Sequence, residues 1–158
     1  MSVIEKTVEV QCPLNKVYNQ WTQFETFPRF MEGVEEIRQI DDTHLHWHAK
    51  IAGVDREWDA QITEQIPDRK IAWRSISGPE NGGTVMFQPV DPQRTRVTLR
   101  MEYDPKGFVE NAADMIGTIE RRVEGDMKRF REFIEDRGQE TGAWRGDVSG
   151  GSVRDKPH

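Results

Sequence analysis

The sequence predicts an α+β fold in which a curved antiparallel sheet of about seven strands wraps around one long C-terminal helix, with two short helices after the first strand. Three observations predict this fold. A proline-interrupted aromatic segment follows the first strand, several middle segments alternate with a period of two, and the period changes to 3.6 near the end. The chain of 158 residues is long enough for one domain with a sizeable core.

The first elements are a strand and two short helices. Residues 2–10 alternate apolar and polar side chains, as in a half-buried strand, and Pro13 can open a helix. Aromatic side chains then follow at a regular spacing of three, at Trp21, Phe24, Phe27 and Phe30. Pro28 prevents one continuous helix. We therefore expect two short helices, the second ending near Gly33, packed against a larger body.

About six further strands are expected before the final helix, beginning with residues 34–40. A two-residue turn at residues 53–54 would place Trp47 opposite Ala60. The same register would place His48 opposite Asp59 on the other face.

The later strands follow turn-forming segments. A turn at residues 67–70 would place Glu64 opposite Trp73. Apolar side chains share one face on each of the last two strands, at Val85 and Phe87 and at Val97, Leu99, Met101 and Tyr103.

The C-terminal third of the chain predicts a long amphipathic helix from about residue 109 to residue 137. Its apolar stripe comprises Ala112, Met115, Ile116, Ile119, Val123, Met127, Phe130, Phe133 and Ile134. After Gly138 the chain is polar and rich in glycine, with Trp144 as its one aromatic residue. We therefore expect one domain over residues 1–137 and a disordered tail over residues 138–158.

Composition excludes several functions. The net charge is −6, which disfavours nucleic acid as a partner. No stretch approaches the roughly 20 apolar residues of a membrane span, and the first residues lack the order of a signal peptide. Cys12 is the single cysteine, so no internal disulfide forms. We expect a cytoplasmic protein.

Five segments together resemble a known superfamily. They are residues 17–31, 34–37, 58–62, 67–75 and 95–99. With the order of elements, they are similar to the START-like (SRPBCC) superfamily, and within it to bacterial polyketide cyclase/dehydrase-like and coenzyme Q-binding-like proteins. The resemblance implies the helix-grip fold, whose sheet and long helix enclose a pocket. Members bind lipids, quinones, hormones or polyketides, and some are enzymes.

The resemblance and the strand periodicity together predict the residues that line this pocket. They are Phe24, Phe27, Phe30, Trp47, Trp58, Ile62, Trp73, Ser75, Phe87, Leu99, Met101, Met115, Ile119 and Val123. Core packing is the alternative role for each of them. Several tryptophans on one sheet face, with small neighbours such as Ala49, favour a pocket.

Few polar residues share this face, and they are weak candidates for catalysis. Arg56, Glu64 and Ser75 have the parity of the tryptophans, and Tyr103 lies on the last strand. Arg56, Glu64 and Tyr103 are the residues that could move protons in a cyclase-type reaction. The alternative is that Arg56 and Glu64 extend from the strand ends into water.

Three histidines at alternate positions suggest a metal site, but a simpler interpretation competes. His44, His46 and His48 would project from one face of a strand. In the predicted register this is the water-facing side, where His48 and Asp59 form an ordinary cross-strand pair. We expect neither a metal nor another cofactor.

The leading hypothesis is therefore a protein that binds an apolar small molecule in an internal pocket. A cyclase or dehydratase acting on a polyketide-like substrate is the first alternative. A partner-binding module that uses the sheet edge or the tail is the second, and a homodimer remains open.

Overall fold

The computed structural model describes residues 2–51, 53–107 and 112–155, with the backbone alone over residues 112–116. The strands are β1 (Ser2–Val10), β2 (Val34–Gln39), β3 (His44–Ile51), β4 (Val54–Ile66), β5 (Lys70–Ser75), β6 (Asn81–Asp91), β7 (Arg94–Tyr103), β8 (Asp147–Ser149) and β9 (Ser152–Asp155). The helices are α1 (Leu14–Trp21) and α2 (Ala112–Arg137), with 3-10 helices at Phe24–Arg29 and Pro105–Gly107.

One antiparallel sheet contains all the described strands. Its order is β1-β7-β6-β5-β4-β3-β2, with β8 paired to β4 and β9 paired to β8. The long helix α2 places Val123, Met127, Phe130 and Ile134 in the same apolar core as the inner face of the sheet. The predicted fold class is confirmed, with seven strands on the main path and a short additional hairpin. The predicted start of the long helix near residue 109 lies outside the described residues.

The two short helices carry the aromatic segment into the core. Phe24, Phe27 and Phe30 are at most 2% exposed. The Trp21 ring meets those of Phe27 and Phe130 with centroids 5.2 and 5.0 Å apart. Such tilted and edge-on contacts between rings stabilise a core beyond the area that they bury. This cluster packs residues 21–30 against α2.

The hairpin of β3 and β4 differs from its predicted register. Ile51 pairs with Val54, and Trp47 lies opposite Trp58. Gly53 has a φ of 78°, a left-handed conformation that glycine adopts readily, and it sets the turn one residue earlier than predicted. Each partner shifts by two residues, so every side chain keeps its predicted face.

The register between β4 and β5 also differs, because a β-bulge interrupts it. Ile62 lies opposite Trp73 and Glu64 lies opposite Ala72, so Thr63 is an extra residue. The bulge reverses the alternation beyond it. Gln65, at 1% exposure, therefore takes the inward position that the sequence predicts for Glu64.

The C-terminal segment, for which the sequence predicts a disordered tail, packs against the sheet in this structure and forms the strands β8 and β9. Gly150 and Gly151 both have positive φ values and form the turn between β8 and β9. Val148 on β8 is fully buried and pairs with Gln65 of β4. The ladder between β3 and β4 ends at Gln61, and β8 pairs with Glu64 and Gln65 beyond that point. The segment thus extends the sheet where β3 has ended.

Side chains of α1 bind the same segment. Gln20 accepts a hydrogen bond from the Thr141 amide at 2.9 Å and donates one to the Thr141 hydroxyl at 3.1 Å. Arg145 donates to Asn19 at 2.7 Å and forms an ion pair with Asp68 at 2.7 Å. Because Gln20 is fully buried, losing these bonds would leave polar atoms without water.

Candidate functional site

A cavity of about 120 Å³ lies between the sheet and α2. Strands β3 to β7 form one side of it, and α2 with residues 31–34 forms the other. Its wall is almost entirely apolar. The sheet and the helix therefore border a cavity that their own side chains do not fill.

Three tryptophans form the sheet side of this cavity. The rings of Trp47 and Trp58 stack at 5.7 Å with an angle of 10° between their planes. Trp73 continues the stack, with its centroid 6.1 Å from that of Trp47. Gly83 lies opposite Trp73 in the ladder, and a Cβ on Gly83 would stand 2.5 Å from the Trp73 ring. The missing side chain of Gly83 thus allows the Trp73 indole to lie flat over β6.

Half of the predicted pocket residues meet at this cavity. Those that line it are Trp47, Trp58, Trp73, Leu99, Met101, Ile119 and Val123. Those buried in the core but absent from the cavity wall are Phe24, Phe27, Phe30, Ile62 and Phe87. The side chain of Met115 lies outside the described part of the chain. The aromatic segment is thus core rather than wall in this structure.

The predicted polar candidates divide in the same way. Tyr103 lines the cavity, and burial raises the pKa of its phenol. Arg56 and Glu64 are absent from the wall, and Glu64 instead accepts a hydrogen bond from Lys70 at 3.3 Å. Ser75 is also absent, and its hydroxyl accepts a hydrogen bond from the Asn81 amide at 3.0 Å.

Sequence reasoning missed a carboxyl group at the cavity wall, that of Asp126 on α2. The residue is 8% exposed, and burial raises its pKa to about 6, although the Glu32 amide and Arg129 oppose the shift. Asp126 accepts a hydrogen bond from the Glu32 amide at 2.9 Å and another from Arg129. A signal was present, since residue 126 follows Val123 by three on the apolar face of the helix.

Residues 31–34 are attached to α2 across the cavity. Gly33 has a φ of 87°, and a Cβ there would stand 2.6 Å from the Arg122 guanidinium. That guanidinium donates to the Lys50 carbonyl at 3.2 Å. Together with the bond between Glu32 and Asp126, these contacts close one side of the cavity with polar groups that satisfy each other.

One tryptophan of the cavity wall has a buried N–H donor without a partner in the described part of the chain. Trp47 is 5% exposed, and its indole Nε1 has no hydrogen-bond partner among the described residues. A buried N–H without a partner is unfavourable by roughly 1–3 kcal/mol.

The histidine-bearing face lies on the opposite side of the sheet from Trp47. His46 contacts Asp59 at 2.7 Å through Nδ1 and Glu57 at 3.0 Å through Nε2, and these carboxylates raise its pKa. The predicted pairing of His48 with Asp59 is wrong, because His48 lies opposite Glu57.

The fold, a curved antiparallel sheet around one long helix with an apolar cavity between them, defines a helix-grip protein. A family model described as "Polyketide cyclase / dehydrase and lipid transport" matches residues 10–132. A 17.2 kDa protein of Streptomyces lincolnensis, described as uncharacterized, is 50% identical over 149 residues, which are 94% of this chain and 99% of that protein. The chain belongs to the polyketide cyclase/dehydrase and lipid transport family.

Solved structures agree with this fold. The Zhui aromatase/cyclase from a Streptomyces species has a TM-score of 0.74 at 19% identity, covering 90% of this chain and 98% of that one. A START superfamily protein from Mycobacterium smegmatis has a TM-score of 0.64 at 14% identity, covering 85% and 95%. These likenesses confirm the helix-grip architecture. No helix within the described residues is both long and apolar enough to cross a membrane.

Proposed function

We propose that this protein binds a hydrophobic small molecule, a lipid, a quinone or an aromatic polyketide-like compound, between the sheet and α2. The observation that carries the proposal is the stack of Trp47, Trp58 and Trp73 facing unfilled apolar space. Flat aromatic walls bind flat or extended apolar groups well. The family description, which names polyketide cyclases and lipid transport, supports the same class of ligand.

The size of the cavity restricts what it can hold. Pockets for drug-sized ligands measure about 300–1,000 Å³, whereas an apolar cavity of about 150 Å³ accepts benzene. The cavity of about 120 Å³ therefore suits one aromatic ring or a short alkyl chain. A longer ligand would place a ring-sized end against the tryptophans.

The polar groups at the wall favour carriage over catalysis. Asp126 and Arg122 are bound to backbone groups of the protein, and the Asn81 side chain donates to the Pro79 carbonyl at 2.8 Å. These groups have hydrogen-bond partners within the protein and hold the cavity together. Tyr103 is the other polar residue of this wall that the sequence singled out.

A cyclase or dehydratase activity is the second candidate, and Asp126 is the observation that favours it. A carboxyl group with a pKa of about 6 can exchange a proton near neutral pH. It lies at the cavity wall beside Arg122, while Tyr103 lines the same cavity. Turnover of a polyketide-like substrate that is lost in Asp126→Asn but retained in Asp136→Asn would favour this candidate.

Native mass spectrometry tests the binding proposal. Untagged protein is purified from its own host, its mass is measured under native conditions, and the released compound is extracted and identified. We expect one apolar molecule per chain. An empty protein, under conditions that keep a known lipid carrier loaded, would contradict the proposal.

We also infer that the protein works in the cytoplasm and that its partner is a small molecule rather than nucleic acid. The net charge of −6 supports the second inference, because a phosphate backbone attracts basic surfaces. Association into a homodimer stays a prediction that sedimentation velocity can test.

A further inference from the structure

Glu35, His48 and Asp55 bring one imidazole and two carboxylates together on the outer face of the sheet. One donor atom from each side chain lies within 4.8 Å of the other two. The three residues come from β2, β3 and β4, which are consecutive strands at one edge. The cluster therefore depends on the pairing of three strands rather than on one loop.

A β-bulge brings Glu35 to this cluster. The ladder pairs Val34 with Ala49 and then Glu36 with His48, so two residues of β2 face one residue of β3. A bulge of this kind redirects the side chain of the extra residue. Glu36, which lies opposite His48 in the ladder, contacts Arg38 at 3.3 Å, whereas Glu35 has an oxygen atom within 4.8 Å of donor atoms of His48 and Asp55.

The neighbouring histidines, His44 and His46, contact other carboxylates. Both ring nitrogens of His46 contact carboxylates, and Nδ1 of His44 contacts Asp41 at 2.9 Å within its own turn. The Nε2 atom of His48 contacts Asp55 at 3.1 Å, and Glu35 approaches the same pair. The predicted cross-strand contact of a histidine with Asp59 is therefore made by His46, whereas His48 belongs to a three-residue cluster.

We propose that Glu35, His48 and Asp55 bind a zinc ion, with water in the remaining position. Zinc takes imidazole nitrogen and carboxylate oxygen at about 2.0–2.2 Å in a tetrahedron, which separates neighbouring ligand atoms by about 3.3–3.5 Å. The 3.1 Å between His48 and Asp55 is close to this separation. Glu35 is exposed, so rotation of its side chain can close the remaining gap of at most about 1.5 Å.

Charge also favours a cation at this cluster. The two carboxylates repel each other, and a divalent ion between them removes that repulsion. Lys50, which lies opposite Asp55 in the ladder, is the competing cation of the protein itself. The bound ion would join the edge strand β2 to β3 and β4, and the 3-10 helix Phe24–Arg29 packs on β2.

Isothermal titration calorimetry of the untagged, metal-free full chain with Zn²⁺ tests the proposal. We expect one ion per chain, and we expect His48→Ala to weaken binding by at least about tenfold. The matched control is His44→Ala, which removes an imidazole from the same strand and face and should leave the affinity unchanged. Circular dichroism verifies that both variants fold, which is expected for side chains on the outer face.

Two further results decide the assignment. Zinc should slow hydrogen exchange of the β2 amides in the unmodified protein but not in His48→Ala. Equal zinc affinity in the unmodified protein and His48→Ala would overturn the proposal. A loss of binding in His46→Ala with retention in His48→Ala would also overturn it, because the ion would then lie between Glu57 and Asp59.

Discussion

The indole rings of Trp47 and Trp58 lie directly opposite each other on β3 and β4, stacked at 5.7 Å with nearly parallel planes. Both residues are buried, at 5% and 7% exposure, and both face the cavity. The hairpin thus presents one continuous aromatic surface toward α2. This surface is the central feature of the proposed ligand site.

The stack should contribute measurable coupling energy to folding. We expect Trp47→Leu and Trp58→Leu each to lower the free energy of unfolding by roughly 1–3 kcal/mol. The double variant should lose about 0.5–1.5 kcal/mol less than the sum, because the ring contact is lost only once. Urea unfolding of the four proteins measures this. Trp144→Leu combined with Trp47→Leu is the control and should be additive, and a coupling near zero for Trp47 and Trp58 would contradict the finding.

Gly83→Ala should move the Trp73 ring toward the cavity. The new methyl group would stand 2.5 Å from the ring, so the indole must shift, and overpacking of this kind lowers stability by about 1–3 kcal/mol. Gly117→Ala is the matched control. Its Cβ would meet Arg121 at 3.7 Å on an exposed part of α2, where the change should stabilise by about 0.5–1 kcal/mol. Thermal unfolding compares the two, and equal effects would disprove the crowding of Trp73.

Asp126 should make stability fall as pH rises. Its pKa of about 6 in the folded protein lies above the ordinary value of 3.8, so the folded state binds more protons between these values. The contribution of Asp126 to the free energy of unfolding should therefore decrease from about pH 4 to above pH 6, by an amount on the order of 3 kcal/mol. Asp126→Asn should remove this contribution.

The control for Asp126→Asn is Asp136→Asn, an exposed position of the same helix. Urea unfolding at several pH values gives the difference between each variant and the unmodified protein. For Asp126→Asn this difference should grow in favour of the variant as pH rises, and for Asp136→Asn it should stay small. A constant difference for Asp126→Asn would show that the carboxyl titrates at its ordinary pKa.

Gln20→Ala should loosen the C-terminal segment. The change removes both bonds to Thr141 and leaves the Thr141 amide without its acceptor, at an expected loss of about 1–3 kcal/mol. Hydrogen exchange of the Val148 amide should also become faster, because β8 follows Thr141 in the same segment. Gln88→Ala, at an exposed position of β6, is the control. Unchanged exchange at Val148 would mean that β8 is held without Gln20.

The faces of the strands were predictable because side chains alternate between the two faces of a sheet. A shift of the register by two residues therefore leaves every side chain on its face. The observed pairing moved the partner of Trp47 by two residues, from Ala60 to Trp58, and left both tryptophans inward. The bulge at Thr63 had no signal in the sequence, and it turned Glu64 away from the inner face. A prediction by parity fails beyond any bulge, since one extra residue reverses the alternation.

The sequence also indicated the hairpin of β8 and β9 and the buried Asp126, but neither was predicted. Gly150 and Gly151 lie between Val148 and Val153, which is typical of a hairpin, although the polar surroundings favoured disorder. The order of this segment depends on distant partners such as Gln20, which no local pattern reveals. Asp126 interrupts the apolar face of α2, and a charge at such a position indicates a functional or structural partner.

The most direct test fills the cavity and measures what remains bound. Ala49 lines the cavity at 3% exposure, so Ala49→Leu places three more carbon atoms there without new charge. The control is Val3→Leu at a half-exposed position of β1. Native mass spectrometry of the three proteins purified from the host should show a bound apolar molecule on the unmodified protein and on Val3→Leu, and little or none on folded Ala49→Leu. Equal occupancy of all three would contradict binding between the sheet and α2.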